Sequence, residues 1–354
     1  MKANEQLHFI VGVQRSGTTL LSKILNNHTA IHCIPEANFL IFFLHSFKNK
    51  KKFSLLDIEL IFEQIRLYSM LHPWVGWKFD PEKVKKDICA NFAEKQISYI
   101  DLCKIIYKYF KVDTIDKQNS YVLLDKNPIF TIFTKKINKV IPNAKFILLM
   151  RDYRSHVLSM KQKVDFESAD IAFNALRWKL FNKVALKFYN QNPLKVLPIK
   201  YEDLVLNKEK ELKKICAFLN LPIDEKIFEN NIEYKADLSG YKIPQQLKAR
   251  FDKKYTELDN PINSDRINSW KTELTRDEIV LCDTICGGFS KKLGYAPHFS
   301  INPIKRFLLK IKSFRPLFMG YMDIKKEFLV YYISPKIKLK RLREIRIKQE
   351  FLSN

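Results

Sequence analysis

A strand, a tight turn and a helix follow one another directly in residues 8–28, HFIVGVQRSGTTLLSKILNNH. Residues 8–13 are mostly apolar, and the leucines and the isoleucine after the turn recur at helical spacing. Gly12 and Gly17 bracket the turn, as in loops whose backbone surrounds a phosphate. Nucleotide-hydrolysing P-loops carry a lysine after the second glycine, but this chain has Thr18 there. The pattern predicts a P-loop-like start to an α/β fold.

The composition of this turn indicates the kind of anion it would bind. Backbone amides at the start of a helix bind anions, and the hydroxyls of Thr18 and Thr19 add donors. Arg15 adds a cation with bidentate geometry inside the turn. ATP chemistry normally uses Mg²⁺ and a lysine, so a loop with arginine and no lysine suits a less charged terminal group such as a sulfate. Two alternatives stay open: a P-loop kinase that uses ATP, and a tight turn with an incidental arginine.

Four short β-rich runs alternate with longer segments of helical periodicity. These runs are residues 8–13, 121–126, 145–151 and 196–202. The alternation predicts the α/β class, with a parallel sheet and helices on both of its faces. Ligands bind at the carboxyl ends of parallel strands. We therefore expect the turn after Val13 to share one edge of the sheet with Lys126, Arg151 and Tyr201.

Two further segments differ from this pattern. A mostly helical insertion over residues 37–120 separates the first two of these strands, and we expect it to shape a second pocket beside the loop. Residues 301–354 contain 14 Lys/Arg and 4 Asp/Glu, interleaved with apolar residues. The sequence predicts one domain over residues 1–300 and a basic amphipathic extension over residues 301–354. The extension has three readings: contact with a membrane surface, packing on the domain, or a solvated tail.

The charge of the whole chain favours anionic partners. It has 62 Lys+Arg against 38 Asp+Glu, a formal net charge of +24. A nucleic-acid-binding protein is therefore a further alternative, but no recognisable motif combines basic and stacking residues, and we expect no specific nucleic acid. The six cysteines and seven histidines lack metal-ligand spacing, so we predict no metal. The start of the chain lacks a signal-peptide core and no run is long enough to span a bilayer, which predicts a cytoplasmic protein.

A second segment carries phosphate-binding residues. In FILLMRDYRSHVLSMKQK, Arg151 ends a predicted strand, and Ser155, Ser159 and Lys163 follow at spacings that place them on one helix face. Together with GVQRSGTTLLSKILNNH, this segment resembles the sulfotransferases that use 3′-phosphoadenosine 5′-phosphosulfate (PAPS). The resemblance is nearest to the tyrosylprotein and carbohydrate sulfotransferases. It extends over about residues 8–296 in order, with a divergent middle.

The resemblance implies a P-loop-like fold and PAPS as the co-substrate. It places the 5′-phosphosulfate in the loop and the 3′-phosphate at Arg151 and Ser159. The segment KYEDL brings Tyr201 near the adenine, and INSDRINSWKTELTRDEI resembles a lid over the nucleotide. The residues implied for PAPS binding are Gly12, Arg15, Ser16, Gly17, Thr18, Thr19, Arg151, Ser159, Lys163, Tyr201, Asn263, Arg266 and Lys271.

The same resemblance implies three catalytic residues. Glu36, in HCIPEANF, falls on the glutamate that serves as base in the tyrosylprotein enzymes. Lys126, in DKNP, matches a lysine of that branch. With Arg15, it would hold the charge that develops during transfer. The alternative interpretations are non-catalytic. Glu36 would be a solvated loop carboxylate, and Lys126 would be a strand-end lysine paired with Asp125.

The acceptor is where the chain departs from the tyrosylprotein pattern. Those enzymes carry an arginine two residues after the base, which binds an acidic peptide, and this chain has Asn38 there. We therefore expect sulfuryl transfer to a hydroxyl or amine of a carbohydrate, a glycolipid or another small acceptor.

Overall fold

The structure is a computed structural model. It describes residues 5–34, 36–71, 80–110, 121–162, 170–229 and 264–353, with side chains as far as residue 347. Within these ranges the strands are β1 (Gln6–Val11), β2 (Ile31–Ile34), β3 (Val122–Lys126), β4 (Phe146–Met150) and β5 (Val196–Lys200). The helices are α1 (Thr18–Asn26), α2 (Phe39–Phe47), α3 (Leu55–Leu71), α4 (Pro81–Phe92), α5 (Tyr99–Tyr107), α6 (Thr134–Val140), α7 (Tyr153–Lys161), α8 (Ile171–Gln191), α9 (Tyr201–Leu206), α10 (Lys208–Leu219), α11 (Asp265–Asn268), α12 (Trp270–Glu273), α13 (Arg276–Ser290), α14 (Pro303–Lys312), α15 (Phe314–Tyr332) and α16 (Pro335–Ser353).

The strands form one parallel sheet in the order β2-β3-β1-β4-β5. The first strand of the chain therefore lies in the middle, between β3 and β4. In the register of these pairs, Ile10 lies beside Lys126 and Val11 beside Leu148. A turn that leaves β1 consequently emerges between the carboxyl ends of β3 and β4, where the strand order reverses and α/β sheets bind ligands.

Apolar side chains cover both faces of the sheet. Neighbouring residues of a strand point to opposite faces, and Phe9 and Ile10 of β1 accordingly belong to two separate buried clusters. The Phe9 cluster includes Phe146 of β4 and Trp178 of α8, whereas the Ile10 cluster includes Ile24 of α1. Burial on both faces explains why these strands are continuous apolar runs rather than alternating ones.

The predicted fold class is confirmed: a P-loop-like parallel sheet has helices on both faces. The first strand ends at Val11 rather than Val13, because the Gly12 amide donates to Thr131 Oγ1 at 2.8 Å instead of continuing the ladder. The strand β2 was not predicted. Its four residues, IHCI, are all buried, but the run is short and contains a histidine.

The insertion and the carboxyl-terminal segment both pack on the sheet-bearing part of the chain. The described residues of the insertion form α2 to α5, whose apolar faces join the Phe9 cluster. In the carboxyl-terminal segment, Ile324 and Tyr331 of α15 belong to the same cluster, and Leu339 of α16 is fully buried. Among the helices that the structure describes, none is both long and apolar enough to cross a membrane.

Candidate active site

The turn after β1 has a backbone that only small residues fit. Gly12 has φ 153° and Gly17 has φ 96°. A Cβ at Gly12 would lie 2.3 Å from the Leu149 carbonyl oxygen, and a Cβ at Gly17 would lie 2.5 Å from Cδ2 of the Tyr201 ring. The two glycines therefore let the turn lie against β4 and Tyr201 without a clash.

Several hydrogen-bond donors of this turn have no side-chain partner among the described residues. The α1 helix begins at Thr18, and no side chain of the described residues caps its first amides. The Ser16 Oγ is buried and has no hydrogen-bond partner in the described part of the chain. Uncapped amides at a helix start attract an anion, and a buried hydroxyl without a partner costs stability unless a ligand satisfies it. The turn therefore suits a phosphate or a sulfate.

A cationic cluster lies on the β4 side of the turn. The Arg151 guanidinium donates from Nη1 to the Arg15 carbonyl at 3.2 Å and lies 4.3 Å from the centre of the Tyr201 ring. Arg15 donates from Nε to Ser159 Oγ at 3.0 Å. The structure thus brings together four of the predicted PAPS-binding residues, and in this cluster the Arg15 side chain contacts Ser159 of α7.

Burial constrains Arg151 strongly. Only 8% of its surface is exposed, and its Nε is buried with no partner among the described residues. Burial lowers the pKa of this arginine from its ordinary value, whereas Tyr201 and Glu202 oppose the shift. A buried guanidinium with a spare donor favours an anionic ligand, because the ligand would replace the lost hydration.

Two contacts that the sequence did not reveal hold this cluster in place. Trp178 of α8 donates from Nε1 to the Arg151 carbonyl at 2.9 Å. His156 of α7 is fully buried, and its Nδ1 lies 2.8 Å from the Gln14 carbonyl oxygen of the turn. Because a carbonyl only accepts, Nδ1 carries the proton of a neutral imidazole. Burial, with the positive charges of Arg151, Arg177 and Arg15, lowers the pKa of His156 to about 3.

The predicted lid contributes backbone rather than side chains to these contacts. The Arg266 carbonyl of α11 accepts from Arg151 Nη2 at 3.1 Å, and the Ile267 carbonyl accepts from Ser155 Oγ at 3.0 Å. The side chains of Arg266 and Lys271 are exposed, and Lys271 Nζ lies 5.8 Å from the centre of the Trp270 ring. Two further predicted residues, Lys163 and Asn263, lie outside the described residues.

An acid–base pair lies on the β3 side of the turn. Lys126, at the end of β3, donates from Nζ to Glu36 Oε1 at 2.7 Å and to Thr19 Oγ1 at 3.5 Å. Lys126 is 7% exposed and Glu36 is 25% exposed. The predicted catalytic residues Glu36 and Lys126 therefore lie together at the start of α1. Lys126 is hydrogen-bonded to Glu36 rather than paired with Asp125, which was the simpler alternative.

Asp125 has a different partner. The Tyr107 hydroxyl of α5 donates to Asp125 Oδ2 at 2.5 Å, and both residues are fully buried. Burial raises the pKa of Asp125 well above its usual value, while the bond from Tyr107 and the charge of Lys126 oppose the shift. Asn38 is also bonded nearby, because its Oδ1 accepts from Asn127 Nδ2 at 3.0 Å.

The comparisons with known proteins agree with this geometry. The model of the sulfotransferase family matches residues 8–225. The chain belongs to the sulfotransferase family. The match decides between the alternatives that the sequence left open: the chain is a sulfotransferase rather than a P-loop kinase or a nucleic-acid-binding protein.

Two curated relatives of this sulfotransferase are named for protein tyrosine. Protein-tyrosine sulfotransferase 1 of Danio rerio is 25% identical over 302 residues, 82% of this chain and 73% of the relative. A putative protein-tyrosine sulfotransferase of Caenorhabditis briggsae is 25% identical over 298 residues, 82% of this chain and 89% of the relative. Among solved structures, the sulfotransferase domain from the Synechococcus PCC 7002 olefin synthase has a TM-score of 0.49 and 20% identity. That likeness covers 79% of this chain and 94% of the domain.

A sulfotransferase takes the sulfuryl group that it transfers from a sulfonate donor. The residues of this site are suited to bind such an anionic donor. The glycine turn, the buried Arg151 and the Ser16 hydroxyl, which has no partner among the described residues, supply donors and positive charge for an anionic ligand. In the part of the chain that the structure describes, no group of three or more His, Cys, Asp or Glu residues could hold a metal ion. The roles of the individual site residues stay predictions.

Proposed function

We propose that this sulfotransferase moves the sulfuryl group of PAPS to an acceptor hydroxyl, with Glu36 as the general base. One observation carries the proposal: Lys126 Nζ contacts both Glu36 Oε1, at 2.7 Å, and Thr19 Oγ1 of the anion-binding turn, at 3.5 Å. A base and a cation at the mouth of an anion site are what transfer from a sulfonate donor to a hydroxyl requires.

The two sides of the turn would bind different parts of the donor. The turn, with Gly12, Ser16, Gly17, Thr18 and Thr19, would hold the 5′-phosphosulfate. Arg151 and Ser159 would hold the 3′-phosphate, and the contact of Arg15 with Ser159 supports a share for Arg15 in that task. Tyr201, whose ring lies against Gly17 and Arg151, would border the adenine.

The proposed step moves one proton and one sulfuryl group. Glu36 accepts the proton of the acceptor hydroxyl as the acceptor oxygen bonds to sulfur and the bond from sulfur to the 5′-phosphate oxygen breaks. Lys126 then stabilises the charge that builds on the sulfuryl and departing phosphate oxygens, since its ammonium lies between the base and the turn. Most of the rate enhancement comes from positioning and electrostatics, as in phosphoryl transfer.

We further propose that the acceptor lacks the acidic flanks of a sulfated tyrosine peptide. The relatives are named for protein tyrosine, but Asn38 is uncharged and its Oδ1 already accepts from Asn127. That position therefore offers no cation to an acidic peptide. A hydroxyl or amine of a carbohydrate, a glycolipid or another small molecule fits better, and a screen of tyrosine peptides against such acceptors tests the choice.

Replacing the base tests the mechanism. We expect Glu36→Gln to lower turnover by roughly 10²–10⁴, the usual contribution of a general base. Affinity for 3′-phosphoadenosine 5′-phosphate should change little, as measured by calorimetry. Glu209→Gln makes the same chemical change on the exposed surface of α10 and should leave both quantities unchanged. Wild-type turnover of Glu36→Gln would refute the assignment of the base.

Replacing Arg151 tests the donor separately. Charge-assisted hydrogen bonds are worth about 1.5–3 kcal/mol, so we expect Arg151→Ala to weaken binding of 3′-phosphoadenosine 5′-phosphate roughly 10- to 100-fold. Binding of adenosine 5′-phosphate, which lacks the 3′-phosphate, should weaken much less. Arg66→Ala, on the exposed side of α3, is the matched control. Equal losses for the two nucleotides would contradict a 3′-phosphate site at Arg151.

A further inference from the structure

The helix α14 presents its apolar residues to solvent. Ile304, Phe307, Leu308 and Ile311 are 70%, 64%, 52% and 54% exposed. Successive residues of a helix are rotated by about 100°, so these four fall within an arc of about 100°. Leu309, on the other side of the helix, is half-buried. The helix therefore turns its apolar stripe away from the protein, the reverse of an ordinary surface helix.

Cations border this stripe on both sides. By the same rotation, Lys305 and Lys312 follow one edge of the stripe, while Arg306 and Lys310 lie beyond the other. All four side chains are exposed. Lysine and arginine at the edges of an apolar face can extend their charged ends toward lipid headgroups while the face itself enters the boundary of the acyl chains.

The first half of α15 continues the same surface. Phe314, Phe318, Met319 and Met322 are 68%, 51%, 55% and 44% exposed. The rings of Phe314 and Phe318 stack on each other, with centres 6.1 Å apart. We call the exposed apolar residues of the two helices the basic apolar surface; they are Ile304, Phe307, Leu308, Ile311, Phe314, Phe318, Met319 and Met322.

The rest of the segment fixes this surface to the folded protein. Asp323 of α15 forms an ion pair with Arg177 of α8, and the ring of Tyr331 stacks on Phe133 at 5.4 Å. In α16, Arg343 forms two hydrogen bonds with the Glu63 carboxylate of α3, at 2.5 Å and 2.8 Å. The second half of α15 and α16 thus pack against the rest of the protein, and this packing sets the orientation of the basic apolar surface.

We propose that the basic apolar surface docks onto a membrane that contains anionic lipids. Charge complementarity selects this occupant. Residues 303–322 contain five Lys/Arg and no Asp or Glu. A second copy of the chain would bring the same cations face to face, because a symmetric dimer joins identical patches. An anionic lipid surface instead attracts each of these cations and accepts the apolar stripe.

The dimensions of α14 indicate that it lies on the membrane. Its ten residues extend about 15 Å, whereas the hydrocarbon core is about 30 Å thick. The flanking cations hold the helix axis parallel to the surface. The end of α15 also contacts α2, since the ring centres of Tyr332 and His45 lie 4.9 Å apart. This contact links the membrane-facing segment to the helix that follows Glu36 and Asn38.

Sedimentation with lipid vesicles tests the proposal on the full chain. Vesicles would contain phosphatidylcholine alone, or phosphatidylcholine with about a third phosphatidylglycerol. We expect the chain to sediment with the anionic vesicles only, and high salt to release it. Lys305→Gln with Lys312→Gln should weaken binding roughly 25-fold, since each cation near an anionic surface contributes about fivefold.

The apolar residues are tested by a matched pair of variants. Phe307→Ser with Ile311→Ser should weaken binding to anionic vesicles at least roughly tenfold. Leu55→Ser with Leu194→Ser is the control, because those leucines are 61% and 90% exposed outside the basic apolar surface. Circular dichroism should show native helix content in both, as each replaced side chain is more than half exposed.

Three outcomes would overturn the proposal. The first is failure of the native chain to bind anionic vesicles. The second is an equal loss of binding in the control variant. The third is a dimer in analytical ultracentrifugation that Phe307→Ser with Ile311→Ser dissociates, which would assign the surface to a second copy. None of them bears on Glu36 or Arg151.

Discussion

The buried histidine of α7 that contacts the anion-binding turn should make the stability of the chain depend on pH. His156 holds the Gln14 carbonyl through a neutral imidazole, and its pKa falls from 6.5 to about 3 on folding. A base with a depressed pKa in the folded state binds fewer protons folded than unfolded. Stability is therefore complete above pH 6.5 and is lost as the pH falls from there toward 3.

The two pKa values set the size of this loss. With 6.5 for the unfolded chain and about 3 for the folded one, His156 should cost about 2 kcal/mol of unfolding free energy between about pH 7 and about pH 5. Burial lowers the pKa of His156 most, and the guanidiniums of Arg151, Arg177 and Arg15, which add to the shift, stay charged throughout this range. The loss therefore belongs to the imidazole alone.

Urea unfolding of the native chain and of His156→Asn at a series of pH values measures this loss. An asparagine amide can still donate to the Gln14 carbonyl but does not titrate. The variant loses ring packing at every pH, so the informative quantity is how the difference between the two proteins changes with pH. His8, whose pKa burial lowers to about 4, contributes equally to both and cancels.

We expect the native chain to lose about 2 kcal/mol more than His156→Asn between about pH 7 and about pH 5. Parallel stability curves would mean that His156 titrates with an ordinary pKa and that its environment in the folded chain is not dry. The assignment of a neutral imidazole that donates to the Gln14 carbonyl would then be refuted.

Two further substitutions test the backbone of the turn. Gly17→Ala should destabilise the chain by at least about 1–2 kcal/mol, because alanine is strained at the left-handed φ of Gly17 and its Cβ would meet the Tyr201 ring. Gly288→Ala is the control: at that exposed helical position no atom of the described residues lies within 4 Å of the added Cβ, so the change should be neutral or slightly stabilising. Thermal unfolding that ranks them the other way would contradict the assigned φ of Gly17. Thr131→Val should cost about 1–3 kcal/mol by leaving the buried Gly12 amide without its acceptor, and a cost near zero in urea unfolding would show that water replaces the hydroxyl.

The parts of this site that the sequence predicts follow either from one short segment or from the way parallel strands align. The turn is one example, because Gly12 and Gly17 stand between a strand and a helix in one short segment. The pairing of Lys126 with the turn is another, since parallel strands bring their carboxyl ends to one edge. Glu36 required the family resemblance, because a lone glutamate after a short buried strand has no local signature.

The residues that sequence reasoning missed act through long-range contacts. Thr131 bonds the Gly12 amide across 119 positions of the chain, and Trp178 bonds the Arg151 carbonyl across 27. Nothing in the segment around His156 shows that Gln14 lies beside it. Residue type alone did not distinguish these three from residues that only pack.

The helical insertion helps to position Lys126, one of the proposed catalytic residues. Tyr107 ends α5 of the insertion, and its hydroxyl bonds Asp125, the residue before Lys126. Asp125 is fully buried, so without that hydroxyl its carboxylate would lose a donor that favours its charged form. Since Asp125 and Lys126 are adjacent on β3, the insertion helps to fix the strand end from which Lys126 reaches Glu36. Replacement of α5 by a short loop would therefore disturb the base and its cation, even if every residue of the anion-binding turn were kept.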